Sequence, residues 1–450
     1  VHALAKYLRG HAEPETALAA RVSARYARVL VVPAYREGTA FLDGYVRAAA
    51  AAPDKTLCVV VANGPIAASD DERAEDVRTL DGLVARLADA AVLTASGAPR
   101  AWLGALDEHL DVLVVDRVSE GARFPPKRGV GLARKIGADL ALALHAAGSV
   151  ASPLLHFTDA DAELPEDYFV RPIPDDIAAV VYPFTHTPTA DVRVSRATAL
   201  YEVSLRYYVA GLAWAGSPYA FHTIGSTIAV SAEAYAAVRG VPPREAAEDF
   251  YLLNKLAKVG CLFRAPGAPI RLRSRTSNRV PFGTGASVDA FSTDDVVFYA
   301  PRCFDVLRLV LTAFDAFAEH AEVARFYETL ASLGDARETV LRVLGEFATE
   351  EALVGAGREA KTPLARRVRA HSFFDAFRAL KVIHAVRDHV APSIPFRSAL
   401  ALAPFVPREA AISVDASFWE SARAVLDLAD HALPASLGPA VRAARFTASS

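Results

Sequence analysis

Hydrophobic positions in this chain fall into two kinds of run. Arg28 to Tyr35 (RVLVVPAY) and Thr56 to Gly64 (TLCVVVANG) are continuous apolar stretches closed by Pro or by Asn-Gly, the pattern of strands buried on both faces of a parallel sheet. Asp111 to Asp116 (DVLVVD) and Pro153 to Asp161 (PLLHFTDAD) repeat it. Between them lie stretches with helical spacing, FLDGYVRAAAA after the first strand and GVGLARKIGADLALALHAAG before the fourth. This alternation predicts an α/β fold, a mostly parallel twisted sheet flanked by helices, with ligands beyond the carboxyl ends of the strands. A polar, helical leader over residues 1–27 precedes it. From Asp175 to about Pro301 the rhythm loosens into short mixed strands, a helix at ATALYEVSLRYYVAGLAWAG and the segment RLRSRTSNRVPFGTGAS. The remainder, to Ser450, carries Ala, Leu and Arg at helical spacing. The expected division is therefore 1–27, 28–300 and an α-helical C-terminal region over 301–450.

Composition narrows the function. With 450 residues, 52% hydrophobic, the chain can bury a large core. A formal net charge of -3 provides no basic field for a nucleic-acid backbone, so no nucleic-acid partner is expected. Cys58, Cys261 and Cys303 lie far apart with no CxxC spacing, against a zinc site or a disulfide framework. No apolar run reaches the length needed to span a bilayer, and the opening residues lack the apolar core of a signal peptide. A cytoplasmic location is the expectation.

The strongest chemical signal is LLHFTDADAELPEDYF. Asp-x-Asp triplets arise by chance; position is what makes this one informative. Asp159 and Asp161 follow a buried strand and would repel each other unless a cation lay between them. Hard carboxylate oxygens suit Mg2+ or Mn2+, with a diphosphate to complete the shell. The competing reading is one aspartate capping a helix that opens near Pro165, with the other a bystander. The segment Lys127, Arg128, Gly129, Gly131, Arg134 begins a helix with small residues and cations, a combination that attracts phosphate.

From about Arg28 to Gly285 the chain resembles glycosyltransferase family 2, enzymes of the GT-A fold. VVPAYRE, KRGVGLARKIGAD, FTDADAELPEDYF and AAEDFYLLNKLAKVG carry the likeness, each weak alone and specific in this order and spacing. The resemblance implies a metal-dependent, inverting transfer of a sugar from a nucleotide-diphospho-sugar of the UDP or GDP type to an unidentified hydroxyl acceptor. By the same resemblance Pro33, Tyr35 and Glu37 line the base and ribose pocket, Asn63 stands where the family often has an acid that binds the base, and Arg134 lies near the nucleotide. Asp161 is the principal metal ligand, with Asp159 a second metal or nucleotide contact. Of the pair Glu248 and Asp249, the aspartate is the catalytic base. The ordinary alternatives stand beside these: Tyr35 as a half-buried aromatic, the acids as partners of a helix dipole, and the cations as solvated charge.

Arg273, Arg275 and Arg279 precede a Gly-Thr-Gly turn, either a loop that closes over the diphosphate or an Arg-rich hairpin. The aromatic segment before the base, ending near His222, is the expected acceptor side, although an aromatic stripe at helical spacing also suits a core. The family's frequent third metal ligand, a histidine after the base, has no counterpart between Asp249 and His320. Other readings are a retaining transferase on the same fold, a sugar nucleotidyltransferase, for which VVPAYREGTAF is poor in phosphate-loop glycines, and a non-catalytic nucleotide-sugar-binding protein. The Arg-bearing helices after Pro301 permit a homo-oligomer interface or peripheral contact with the inner face of a membrane.

Overall fold

The computed structural model describes residues 2–274, 296–407, 433 and 435–440. Packing divides the chain into two units. The first runs to Pro188 and resumes at Thr223; the second takes Thr189–His222 and the described residues from 296 onward. The stretch 189–222, which the sequence reading includes in 28–300, thus packs with the helical unit.

In the first unit the strands are β1 (Arg28–Ala34), β2 (Thr56–Asn63), β3 (Ala88–Leu93), β4 (Ala101–Ala105), β5 (Leu110–Arg117), β6 (Leu154–Phe157), β7 (Ala162–Glu163), β8 (Ala179–Val181), β9 (Phe184–Thr187), β10 (Ile228–Ser231), β11 (Leu262–Arg264) and β12 (Ile270–Arg273). Its main sheet runs β3-β4-β5-β2-β1-β6-β10-β8-β11. The four strands read from continuous apolar runs form the parallel centre, β5-β2-β1-β6, in register Val31↔Val59, Val59↔Leu113 and Leu30↔His156. Every residue of β2 is buried, which is why its sequence does not alternate. Of the flanking strands, β10 is antiparallel to β6 and to β8, β4 is antiparallel to β5 and to β3, and β11 is parallel to β8. A small second sheet, β7-β12-β9, lies in the same unit.

Its helices are α1 (His2–Gly10), α2 (Phe41–Ala50), α3 (Asp70–Ala85) and α4 (Val130–Ala146). After α5 (Val192–Trp214), which belongs to the second unit, come α6 (Ala232–Ala237) and α7 (Glu248–Val259). A capping box of Ser69 and Glu72 starts α3. α4 is buried from Gly131 to Leu144 and packs on β1 and β2. The leader, α1 and a 3-10 helix over Pro14–Arg21, is tied to α4 through Asp139. That buried carboxylate accepts from Tyr7 Oη (2.6 Å), Tyr235 Oη (2.7 Å), Lys135 Nζ (2.6 Å) and the Glu13 amide (2.9 Å).

One expected element is missing. No helix opens at Pro165: β7 and a run of turns over residues 166–170 follow the Asp-x-Asp triplet. Pairing of Ala162 and Glu163 with Leu272 and Arg271 holds this segment extended instead. The capping explanation of the aspartates therefore has no helix to cap.

The second unit adds α8 (Pro301–His320), α9 (Val323–Leu330), α10 (Arg337–Glu346), α11 (Thr349–Glu359), α12 (Pro363–Phe373), α13 (Ala376–His389) and α14 (Phe396–Leu402), with β13 (Val297–Phe298) paired to β14 (Ile394–Pro395). The aromatic stripe of α5 is core here: Tyr207 packs on Phe298 and Phe304 and donates to the Tyr299 carbonyl at 2.8 Å. Two arginines of the segment PLARRVRAH are internal. Arg366 donates to the last carbonyls of α8, Ala318 (2.7 Å) and Glu319 (3.0 Å), and Arg367 reaches Asp315 at 3.2 Å. Arg366 thus closes a helix end from inside, and Arg367 serves a buried ion pair. No helix among the described residues is long and apolar enough to cross a membrane.

Candidate active site

The carboxyl ends of β1, β2, β5 and β6 form one rim of the first unit. At β1, Pro33 is buried while Tyr35 and Glu37 are half-buried. Arg36 leaves the strand with φ 53°, in the left-handed region, and its guanidinium lies 4.6 Å from the centre of the Tyr35 ring. The same guanidinium reaches Glu72 (2.7 Å) and the buried Asp76 (3.1 Å), whose other oxygen takes Arg123 at 2.6 Å. Asp76 on α3 therefore ties the β1 exit to the β5 exit. At the end of β2, Asn63 is 7% exposed and its Oδ1 has no hydrogen-bond partner among the described residues. A buried acceptor left without a donor is uncommon in a folded protein and marks a place where a ligand N–H would be welcome.

β6 delivers Asp159. Tyr45 on α2 donates its hydroxyl to the Asp159 carbonyl at 2.7 Å and so fixes the turn. The Asp159 carboxylate is ion-paired through Oδ1 with Arg134, which is only 5% exposed. The other end of the guanidinium, Nη1, pairs with Glu248 Oε1. Arg134 thus spans two carboxylates from different elements. Burial works against its charge, but Asp159, Glu248 and Asp249 outweigh that and raise its pKa. Its Nε is buried without an acceptor among the described residues.

Glu248 and Asp249 begin α7, directly after Ala247, which holds φ 60°. A non-glycine residue in that region is strained by about 1 kcal/mol, and such positions gather at functional sites. Asp249 accepts from the Gly225 amide (2.9 Å) and from the Phe250 amide (2.7 Å). Burial, then the neighbouring Glu248 charge, push its pKa up to about 7, against the lowering pull of Arg134 and the two amides. A carboxylate with that pKa suits general-base work near neutrality. Gly225 packs closely on the arginine: a Cβ there would lie 2.4 Å from Arg134 Nη1 and would push the guanidinium aside.

Asp159, Arg134, Glu248 and Asp249 therefore meet at one place, with Asp161 two residues from Asp159 and half-buried. Lys127 is exposed, with φ 62°. The first turn of α4 is covered by the loop before α7: the Gly131 amide donates to Arg244 O at 3.1 Å, and a Cβ on Gly131 would lie 2.5 Å from that oxygen. Those glycines are thus used for close backbone approach. His222 belongs to the second unit and is 6% exposed. Arg275 and Arg279 lie outside the described residues; Arg273, on β12, gives its amide to the Asp161 carbonyl at 3.2 Å. Tyr45, Gly225, Asp76 and Arg123 carry no motif, and no sequence signal could have singled them out; Arg36 lies within VVPAYRE, but nothing there announces its reach to Asp76.

As a metal site, Asp159 and Asp161 present hard oxygen donors of the type Mg2+ and Mn2+ prefer. Among the described residues no group of three or more His, Cys, Asp or Glu side chains could hold a metal ion. An ion held by this pair would have to draw the rest of its shell from diphosphate and water. The Asp159 side chain is 32% exposed, open enough for that.

No family model matches the chain, and neither does any curated protein. Among solved structures, the mannosyltransferase PcManGT from Pyrobaculum calidifontis, in complex with GDP-Man and Mn2+, is similar over 95% of this chain and 91% of its own, at 16% identity and a TM-score of 0.29. A likeness that faint decides nothing about chemistry.

Proposed function

We propose that the first unit is a metal-dependent, inverting glycosyltransferase of the GT-A kind, resembling family 2, that moves a sugar from a nucleotide-diphospho-sugar to a hydroxyl. One observation carries the reading. The Asp-x-Asp aspartate and the Glu-Asp pair, far apart in sequence, converge on Arg134 at the ligand edge of a parallel sheet. The raised pKa of Asp249 and the buried Asn63 Oδ1 at the same rim add support.

In this reading Asp161 and Asp159 hold the divalent ion, which supplies charge neutralisation to the departing diphosphate. Asn63 Oδ1 accepts an N–H of the base, with Pro33, Tyr35 and Glu37 along the same pocket. Asp249 takes the acceptor hydroxyl proton as that oxygen forms its bond to the anomeric carbon; the bond from that carbon to the diphosphate oxygen breaks on the opposite face, and the configuration inverts. The two amides on Asp249 orient its carboxylate for that transfer.

Calorimetry with UDP- and GDP-sugars in the presence of Mn2+ tests donor binding; failure to bind any of them refutes the reading. Asp249→Ala should abolish transfer and leave metal-dependent nucleotide binding within about threefold. Transfer at the wild-type rate by that variant removes Asp249 as the base. NMR of fresh product reads the anomeric outcome.

A further inference from the structure

We propose that Arg134 and Glu248 are positioning residues, a brace that makes the donor-side carboxylate and the base-bearing helix move as one. The proposal rests on the transfer reading for the roles it connects, while the brace itself is argued from packing.

Three features point to it. First, the guanidinium is shared end to end: Nη2 takes Asp159, in the loop after β6, and Nη1 takes Glu248, the first residue of α7. A planar fork can hold two carboxylates at once; an ammonium cannot do so with the same geometry. Second, the arginine is confined. The Gly225 backbone lies so close that a Cβ would come within 2.4 Å of Nη1, and the same glycine's amide holds Asp249 Oδ2 at 2.9 Å. A single peptide unit therefore walls in the arginine and orients the base. Third, the Glu248 side chain is 4% exposed and committed to Arg134. It is spent on the brace, not on substrate, which separates its role from that of Asp249. A shift of Asp159 on donor binding would be carried through Arg134 and Gly225 to Asp249, so that the base is aligned when the donor is seated.

The test is a cycle of near-isosteric changes, D159N and E248Q, singly and together, in the native background and with R134M. With Arg134 present, the thermal midpoint shifts should be non-additive by about 3 °C or more, and with R134M they should add to within about 1 °C. G225A, which displaces the guanidinium without removing it, should reduce the coupling in the same way and serves if R134M does not fold. Release of nucleotide diphosphate from UDP-glucose or GDP-mannose with Mn2+ supplies the second readout: E248Q should lower kcat about tenfold with donor KM changed less than about threefold. R134K should not recover the native rate. Additive midpoints with Arg134 present overturn the brace; so does an E248Q enzyme with native kcat, or one as inactive as D249N. If the native protein releases nucleotide from neither donor, the transfer reading is what fails, and the midpoints still decide the brace.

Discussion

Asp249→Asn should make the protein more stable at alkaline pH while it removes activity, because the carboxylate is held where its charge is unwelcome. Its ordinary pKa of 3.8 is raised to about 7 by burial and by Glu248. The sign follows. Between about pH 4 and pH 7 the native state keeps a proton that the unfolded chain has lost, so stability falls as pH rises through that window and levels off above it. The full effect at pH 8 is at most about 4 kcal/mol, at 1.36 kcal/mol for each pH unit of the window. More than half is incurred between pH 5 and pH 8, and allowing for the partial exposure of the side chain leaves about 1–2 kcal/mol over that interval. Asparagine offers one acceptor oxygen to the two amides of Gly225 and Phe250, so one hydrogen bond, about 1 kcal/mol, is lost at every pH. The variant should therefore be equal to or slightly less stable than the native protein at pH 5 and more stable at pH 8. The relative gain corresponds to roughly 2–8 °C in midpoint. Circular dichroism melts at the two pH values measure it. A variant-minus-native difference that does not change with pH would refute the argument.

Two further outcomes follow from the same electrostatics and packing. The base must be ionised to accept a proton, so kcat/KM should rise with pH and reach a plateau above about 7; in E248Q, with a neighbouring negative charge gone, the rising limb should move to lower pH in a stopped pH series. Further along α4, Asp139→Ala should cost roughly 2–4 kcal/mol in urea denaturation by taking the shared acceptor from Tyr7, Tyr235 and the Glu13 amide and leaving the buried Lys135 ammonium with Glu13 and the His11 carbonyl alone, whereas Tyr7→Phe, which removes one of four donors, should cost about 1 kcal/mol.

The parallel centre of the sheet was legible because burial on both faces writes itself as an unbroken apolar run: β1, β2, β5 and β6 all fall on such stretches. β3 and β4 were not legible. β3 is the edge of the sheet on that side and β4 the strand next to it; both carry largely exposed or half-exposed residues, ADAAVL and AWLGA, and so little burial imposes no pattern. The segment after Asp161 misled because Pro165 with nearby acids is a helix-opening signature, while the pairing that holds it extended comes from β12, over a hundred residues later. Tertiary pairing outweighs a local cue there. The second unit shows the same limit: α5 reads as a helix of the 28–300 region, but its tyrosines find their partners on Phe298 and Phe304, which no local pattern announces.

In the candidate site, the residue types were readable and their relations were not. Asp159, Glu248 and Asp249 stand out as acids at element ends, and each alone has an ordinary explanation. Bringing them together changes the physics: three carboxylates around one place are mutually repulsive, and burial makes each more costly to ionise. Arg134 resolves part of that repulsion by pairing with two of them, and the residual strain is lodged in the third, whose pKa rises. The backbone carries a parallel load, since Arg36, Lys127 and Ala247, at the exits of β1, before α4 and before α7, all hold left-handed φ values without being glycine. A fold selected for stability alone would relax such positions with glycine and replace the raised carboxylate with an amide. That the carboxylate is kept, at the rim where the four central parallel strands end, is what argues for the proposed chemistry there over a merely satisfied ion-pair network; the left-handed residues argue less, since Asp54, Asp89, Ala321 and Ala348 hold the same conformation elsewhere.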